Sequence, residues 1–380
     1  MQKIKSKIFI PIGSFYPDQT NGPSFSLYWL SRCLVDEQYK VTVYTTHLGM
    51  SIEKKNHKKI VESSYGEVHY FKTLSIKFPL RLMINSFFQI RKNDCIIITS
   101  LFYPLSVFLF FTSLFFSKKF ILSPRGELYE NALKSKSVLL KRVYLRLIKI
   151  ILKLRSRNYI FHATSDEEVK TIRTIFGESI TIALIPNYIY FEPTSINNHT
   201  RSHLLFLGRI HPDKSLFKLL KGYKIYIDST PNSKLRLILT GDPTSRYGKD
   251  LINFIKLNDL IDRVEFVGYV SGQKKEILIS ESLCTVLISN SENFGNSILE
   301  SLCLGTPVIT STGTPWKEVE NRNCGFWIKN DPDIIAKKIE LLDNLSDNDY
   351  RIMCENAKRF SFDEFSIQNH KSKWIEIFEN

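Results

Sequence analysis

The feature that most limits what this chain can fold into is an alternation that runs once, breaks, and starts again. Short apolar runs of strand type, IFIPI, VTVYT, CIIIT, KFILS, YIFHAT and TIALI, recur through the first half with helix-like segments between several of them. That is the pattern of a parallel sheet whose strands are joined by crossover helices. A polar stretch carrying Pro, Ser, Asn and Thr, Tyr188 to Ser202, then interrupts it and reads as a linker. Beyond it LLFLG, LRLILTG, VEFVG, CTVLIS and PVITS resume the alternation, each followed by a helix-like segment. At 380 residues the chain exceeds one ordinary core and suits two domains of about 100 to 200 residues each. The expectation is an α/β protein with two doubly wound domains in tandem, 1–188 and 202–360.

The charge is divided as sharply as the alternation. Residues 1–200 hold 28 Lys and Arg against 14 Asp and Glu, while residues 201–380 hold 24 against 24, so the whole net charge of +14 belongs to the first half. A basic half beside a neutral half implies that one domain meets something anionic. The six cysteines form no C-x-x-C pair, and several fall within apolar patterns, which suits inert thiols in a reducing compartment. The N-terminus has only the short run IFIPI before a loop, too little for the apolar region of a signal peptide, and reads as the first strand of a cytoplasmic protein. Residues 95–117 are uncharged for 23 positions. Ser100 to Pro104 interrupts them as a turn would, so they are expected to form a buried strand and helix rather than a membrane span.

In doubly wound sheets ligands bind at the carboxyl ends of the strands. In the second half LLFLG is followed by Arg209 and then Lys214, LRLILTG ends at Gly241, and VEFVG leads into Tyr269. CTVLIS leads into SENFGNSILE, where Glu292 and Glu300 stand eight apart around an Asn-Phe-Gly-Asn turn. Two cations after one strand, with a glycine turn opening a helix at Gly295 and Asn296, suit a diphosphate: Arg forks onto phosphate oxygens, Lys adds a point charge, and helix N-terminal amides complete the cradle. Glu300 would lie just over one turn into that helix and Glu292 in the loop before it, both able to face the same crevice. Carboxylates accept pairs of hydrogen bonds from vicinal hydroxyls, as on a ribose or hexose. The alternatives are plain ones: surface charges at Arg209 and Lys214, a solvent-facing helix residue at Glu300, and a helix N-terminal charge at Glu292.

These residues resemble the retaining GT-B glycosyltransferases of the glycosyltransferase 4 group. The marks of that family are E-x7-E with FG after the first Glu, here Glu292-Asn-Phe294-Gly295-Asn296-Ser-Ile-Leu-Glu300, and then G-x-P-V, here Gly305-Thr-Pro-Val308. FYPDQTNGPS, with Gly22, resembles the glycine loop after the first strand, GRIHPDKS the phosphate-contacting GR-x4-K element, and LILTGDP and VEFVGYV the strand-end turns of the nucleotide domain. The resemblance implies two Rossmann-like domains facing across a cleft. It implies also a last helix, about 361–380, that returns to the first domain. In the first domain SPRGELYENALKSKSVLLKR and FHATSDEE resemble a subgroup of envelope-polysaccharide transferases. Many relatives carry a histidine before a glycine at the acceptor-side strand end; this chain has Arg125-Gly126, and an arginine cannot act as a base there but can meet an anionic group. His162 in FHATS reads as a hydrogen-bonded strand-end residue rather than a catalyst.

The activity the resemblance implies is transfer of a sugar from a nucleotide-sugar donor, UDP-sugar before GDP-sugar, with retention of anomeric configuration. Arg209 and Lys214 would stabilise the departing diphosphate, Glu300 would hold the ribose, and Glu292 with the backbone at Phe294 and Gly295 the donor sugar. Fixed cations take the place of a metal, and no cofactor is expected. The D-x-D strings Asp331-Pro-Asp333 and Asp347-Asn-Asp349 read as helix starts. A glycoside hydrolase could also use two carboxylates but has no need of the Arg/Lys element. A non-catalytic GT-B subunit recruited to a membrane is the other alternative.

For the acceptor, the informative stretch is 134–157, with nine Lys and Arg and no acidic residue. Arg142, Arg146, Lys149, Lys153 and Arg157 form one helical stripe, and Leu140, Val143, Leu147, Ile150, Ile151 and Leu154 an apolar side. The pattern fits a helix resting on anionic lipid, and equally a crossover helix with a solvated basic face. A saccharide acceptor, lipid-linked, with the enzyme peripheral on the inner face of the cytoplasmic membrane, is the expectation. Nucleic acid fits poorly, since the run lacks interleaved stacking aromatics.

Overall fold

The computed structural model describes residues 4–16, 19, 22–48, 50, 60–75, 77–134, 137–189 and 201–379. Most of the stretch expected as a linker, 190–200, lies outside these residues, as do 17, 18, 20 and 21 of the glycine loop. The chain divides into two compact units, Met1–Tyr190 with Ile367–Asn380, and Phe191–Ser366.

The first unit is built on an eight-stranded sheet. Its strands are β1 (Lys7–Pro11), β2 (Lys40–Thr46), β3 (Ile60–Ser63), β4 (Gly66–Phe71), β5 (Cys95–Thr99), β6 (Lys119–Ser123), β7 (Tyr159–Ala163) and β8 (Ile182–Leu184), in the order β3-β4-β2-β1-β5-β6-β7-β8. Pairings are parallel except for the β3–β4 hairpin. That hairpin escapes the sequence reading because IVES and GEVHYF mix polar and apolar residues at a sheet edge, whereas CIIIT is buried throughout and announces itself by β-branched residues alone.

Because successive strand residues point to opposite faces, the central strands feed two cores. Phe9, Ile96 and Ile98 join one; Ile8, Ile10, Cys95 and Ile97 join the other. Helix α1 (Gly22–Asp36) covers the second core, while α2 (Leu80–Ile90), α3 (Pro104–Thr112), α4 (Val138–Arg155) and α5 (Asp166–Phe176) cover the first. The uncharged 95–117 stretch becomes β5, α3 and the 3-10 turn Ser113–Phe115. No helix among the described residues is long and apolar enough to cross a membrane.

The second unit has a six-stranded, wholly parallel sheet of β9 (His203–Phe206), β10 (Arg236–Thr240), β11 (Val264–Gly268), β12 (Ser282–Leu287), β13 (Val308–Ser311) and β14 (Gly325–Ile328), in the order β11-β10-β9-β12-β13-β14. The winding direction reverses between β9 and β12, and a crevice opens at such a switch point. Its longer helices are α6 (Leu216–Ser229), α7 (Arg246–Leu257), α8 (Gly272–Ser280), α9 (Asn296–Cys303), α10 (Pro332–Asp343) and α11 (Asp347–Phe365). Asp331 caps α10 and Ser346 caps α11, with Asp333, Asp347 and Asp349 in the first turns, so both D-x-D strings stand at helix starts.

The last helix, α12 (Ile367–Glu379), packs Trp374 and Phe378 into the core that holds α1. The return begins at Ile367 rather than about 361, because α11 continues to Phe365 and places Phe360 and Phe365 against Trp316 in the second unit.

Candidate active site

The second unit brings most of the expected residues to the β9/β12 switch point. After β9 the chain passes Gly208 and the exposed Arg209, makes a 3-10 turn at Pro212–Lys214, and enters α6 through Ser215 in the left-handed region. Two bonds tie this loop to the one after β12: Asn290 N–H donates to the Asp213 carbonyl at 2.8 Å, and Ser215 Oγ to Asn290 Oδ1 at 2.9 Å. Across the joint, Lys214 Nζ donates to Glu292 Oε1, with side chains only 18 % and 15 % exposed. Ser289 Oγ donates to the same carboxylate oxygen at 2.7 Å, and Glu292 N–H to the Gly313 carbonyl at 2.8 Å. Glu292 is thus fixed from its backbone and from two side chains.

Phe294 is buried, edge-on to Trp316 at 5.0 Å and to Phe365 at 5.6 Å, and its carbonyl accepts the Trp316 indole N–H. This anchor holds the turn whose next residue, Gly295, has φ +84 and starts α9. A side chain would be strained at that φ, so glycine is what lets the helix N-terminus point where it does. Glu300, in the second turn of α9, accepts from Lys275 Nζ of α8 at 2.9 Å. Lys275 is a residue that sequence reading missed: one of two adjacent lysines in SGQKKE, it has no motif to mark it.

The ends of β9, β10 and β11 approach closely, with Gly208 N–H donating to Thr240 Oγ1 at 3.0 Å. Gly241, φ +98, donates its N–H to the Gly268 carbonyl at 2.8 Å, and a Cβ there would stand 2.5 Å from the Gly208 carbonyl oxygen. Tyr269 follows, largely exposed. Gly22, Arg125 and Gly126 belong to the first unit, Gly22 at the start of α1.

At the end of β6 the first unit turns its polar groups inward. Arg125 sits at φ +55 with its guanidinium buried, Nη1 donating to Asn187 Oδ1 and Nε without a hydrogen-bond partner. Burial pulls its pKa below the ordinary arginine range. Glu168, fully buried, accepts from Gly126 N–H at 2.7 Å, Thr164 N–H at 2.8 Å and Thr164 Oγ1 at 2.9 Å. His162 is held between Ser123 Oγ at 2.8 Å and the Ile185 carbonyl at 2.9 Å, and burial beside Arg125 pushes its pKa down to about 3. It is a neutral structural imidazole. Beside these, Glu127 accepts the Phe102 N–H at 3.1 Å, yet burial outweighs that bond and raises its pKa to about 7. Nothing in the sequence singles out Glu127 or Glu168 among the other acids of their segments. Among the described residues no group of three or more His, Cys, Asp or Glu could hold a metal.

The solved structures decide the architecture. Sucrose-phosphate synthase of Thermosynechococcus elongatus superposes with a TM-score of 0.78 at 17 % identity, over 99 % of this chain and 98 % of that one. HepE of Anabaena, solved with UDP and glucose, superposes with a TM-score of 0.75 at 16 % identity, over 98 % and 99 %. The fold is GT-B. Within this GT-B chain, residues 192–360 match the model of the family described as Glycosyl transferases group 1. An uncharacterised glycosyltransferase of Methanocaldococcus jannaschii is 27 % identical over 46 % of this chain and 44 % of its own length. The O-antigen biosynthesis glycosyltransferase WclY of Escherichia coli is 34 % identical over 30 % of this chain and 32 % of its own length. The chain thus spans less than half the length of these two curated relatives.

Proposed function

We propose that the protein is a retaining glycosyltransferase that moves a sugar from a nucleotide-sugar donor to a saccharide acceptor in envelope polysaccharide or glycolipid synthesis. The observation that carries this reading is the pair of carboxylate–lysine contacts, Lys214–Glu292 and Lys275–Glu300, set around the switch point and the α9 N-terminus of the second unit. Lys214 has three donors and can keep Glu292 while offering the others to a diphosphate, so the ion pair orients the cation before substrate arrives. Arg209 and the first amides of α9 supply further positive potential toward the leaving group, where charge accumulates in the transition state. Glu300 is assigned to the ribose hydroxyls and Glu292, with the Phe294–Gly295 turn, to the donor sugar. Each carboxylate has a lysine beside it, and neither is set apart in an apolar pocket as the acid of a glycoside hydrolase would be.

A UDP-sugar is the favoured donor, supported by the UDP and UDP-glucose complexes of HepE. A saccharide acceptor is supported by the O-antigen glycosyltransferases among the relatives. We assign the acceptor a lipid anchor and the enzyme a place on the anionic inner face of the cytoplasmic membrane, through the basic stripe of α4. Transfer is assigned to fixed cations rather than a metal. A thermal-shift and isotope-transfer screen of UDP-, GDP- and dTDP-sugars, with and without EDTA, tests the reading. One donor should raise the melting temperature and label an acceptor, and EDTA should change neither. Release of sugar from aryl glycosides with no response to any nucleotide sugar would sink it.

A further inference from the structure

The apolar arc of α4 that meets the first core consists of Tyr144, Leu145, Ile148 and Leu152. Of the aliphatic side read from the sequence, Ile151 also packs on that core, and the rest is a second arc that faces out: Leu140 is 71 % exposed, Ile150 54 % and Leu154 79 %, beside Arg142, Arg146 and Lys153, themselves exposed. Helix α2 repeats this design. Leu80, Ile84 and Phe88, four residues apart on one stripe, are 56 %, 55 % and 60 % exposed, with Phe78 exposed just before them. Arg81, Arg91 and Lys92 are exposed around that stripe.

The two helices are joined across the same face of the sheet. Phe87 of α2 packs on Phe116 at 5.5 Å, and Arg155 of α4 donates to the Leu114 carbonyl at 2.7 Å, which brackets Phe115, 78 % exposed, between them. No acidic residue occurs in 72–93, 113–119 or 134–157, the three segments that supply this face. Monomeric proteins rarely present apolar area on this scale, and a solvated crossover face has no use for it.

We infer that α2, the Ser113–Phe115 turn and α4 form one lipid-insertion face, with its occupant an anionic bilayer surface that takes the aliphatic and aromatic side chains below its phosphates and the flanking cations at them. Aliphatics opposite acid-free cationic borders match the layered chemistry of such an interface, apolar beneath and negative at the rim. The inference rests on the membrane reading for the α4 stripe and extends it to α2 and Phe115, which that reading does not require.

Vesicle sedimentation of the full chain separates the two. Ile84→Asp with Phe88→Asp should lower partitioning onto vesicles of phosphatidylglycerol and phosphatidylethanolamine by about ten-fold or more. Both sites are solvent-facing, so the melting temperature and the thermal shift given by UDP should stay at wild-type values. Arg142, Arg146, Lys149 and Lys153 changed together to Gln should weaken binding comparably. Phe115→Trp should gain an emission quenched by brominated acyl chains. If the Gln variant loses binding while the Asp variant retains it, docking by α4 stands and the three-part face is wrong. If both variants bind as wild type, or if the Asp changes instead abolish self-association in lipid-free solution, the inference and the membrane reading fail together.

Discussion

The two units share a winding but spend their polar residues differently. At the β9/β12 ends of the second unit, Lys214, Glu292, Lys275 and Glu300 keep part of their surface open. At the β6 end of the first unit, Arg125, Glu168 and His162 are turned into the fold, with their bonds made to Asn187, Gly126, Thr164, Ser123 and Ile185. A strand-end polar cluster is therefore no sign of a site in itself; what distinguishes the two is whether the charges pair with one another at a partly open surface or serve buried groups of the fold. Mutation should reveal the contrast as stability in one unit and as turnover in the other.

The largest effect is expected in the first unit. Glu168→Ala leaves three donors without an acceptor in a site closed to water, at a cost of about 3 kcal/mol or more. Chemical denaturation followed by unit-specific probes should show the first unit unfolding earlier, while UDP still shifts the melting of the second. An unchanged midpoint would mean that water reaches Gly126 and Thr164.

Next in size is Lys214→Ala. It should lower turnover about thirty-fold, on the order of 2 kcal/mol, through lost leaving-group stabilisation, with little change in the denaturation midpoint. A turnover loss matched by an equal loss of stability would place Lys214 with the structural cluster of the first unit and erase the contrast.

Glu300→Gln follows. The amide keeps one acceptor and replaces the other with a donor, so nucleoside diphosphate affinity should fall by about 1.5 kcal/mol, roughly ten-fold, in a calorimetric titration. Lys275→Met sharpens this test. If Lys275 merely neutralises Glu300, the variant should bind the nucleoside diphosphate less tightly yet respond to Glu300→Gln far less than the parent does, a coupling that a double-mutant cycle reads directly.

How much of this was legible beforehand depended on whether function left a local pattern. CIIIT and KFILS match β5 and β6 at both ends because buried strands are nearly continuous apolar runs, and VEFVG matches β11 although its Glu265 is exposed. The Asn296 helix start could be read from its glycine, and E-x7-E from its spacing. The β3–β4 hairpin at one sheet edge could not, since partial burial dilutes the pattern, nor could β14, an edge strand of the second sheet. Lys275 and Glu127 stayed hidden for a different reason: their partners, Glu300 and the Phe102 amide, lie 25 positions away in each case, and only the fold brings them together. On α4 the sequence reading named one apolar side, and the core takes chiefly the other, Tyr144, Leu145, Ile148 and Leu152.

The smallest effect concerns pH and Glu127. Its pKa rises from an ordinary carboxylate value of 4.5 to about 7 on folding, chiefly by burial, against the lowering effect of the Phe102 and Leu101 amides and Lys141. Between those values the native state holds a proton that the unfolded chain has released, so the contribution of Glu127 to the stability of the first unit should decline as pH rises from about 4.5 to about 7 and level off above it. The side chain is partly exposed, which discounts the decline to the order of 1 kcal/mol. His162 acts in the opposite sense over an overlapping range: its pKa falls from 6.5 to about 3 on folding, so between those values the unfolded chain binds a proton that the native state does not, and stability rises with pH. Glu127→Gln preserves an acceptor for the Phe102 amide and removes the titration. The difference in denaturation midpoint between the parent and the variant, measured in steps from pH 4.5 to 7.5, should change steadily across the window, the parent losing ground to the variant as pH rises. The same difference read from the second unit should stay constant. A first-unit difference that does not move with pH would transfer the effect to another group and leave the two units alike in their response to this substitution.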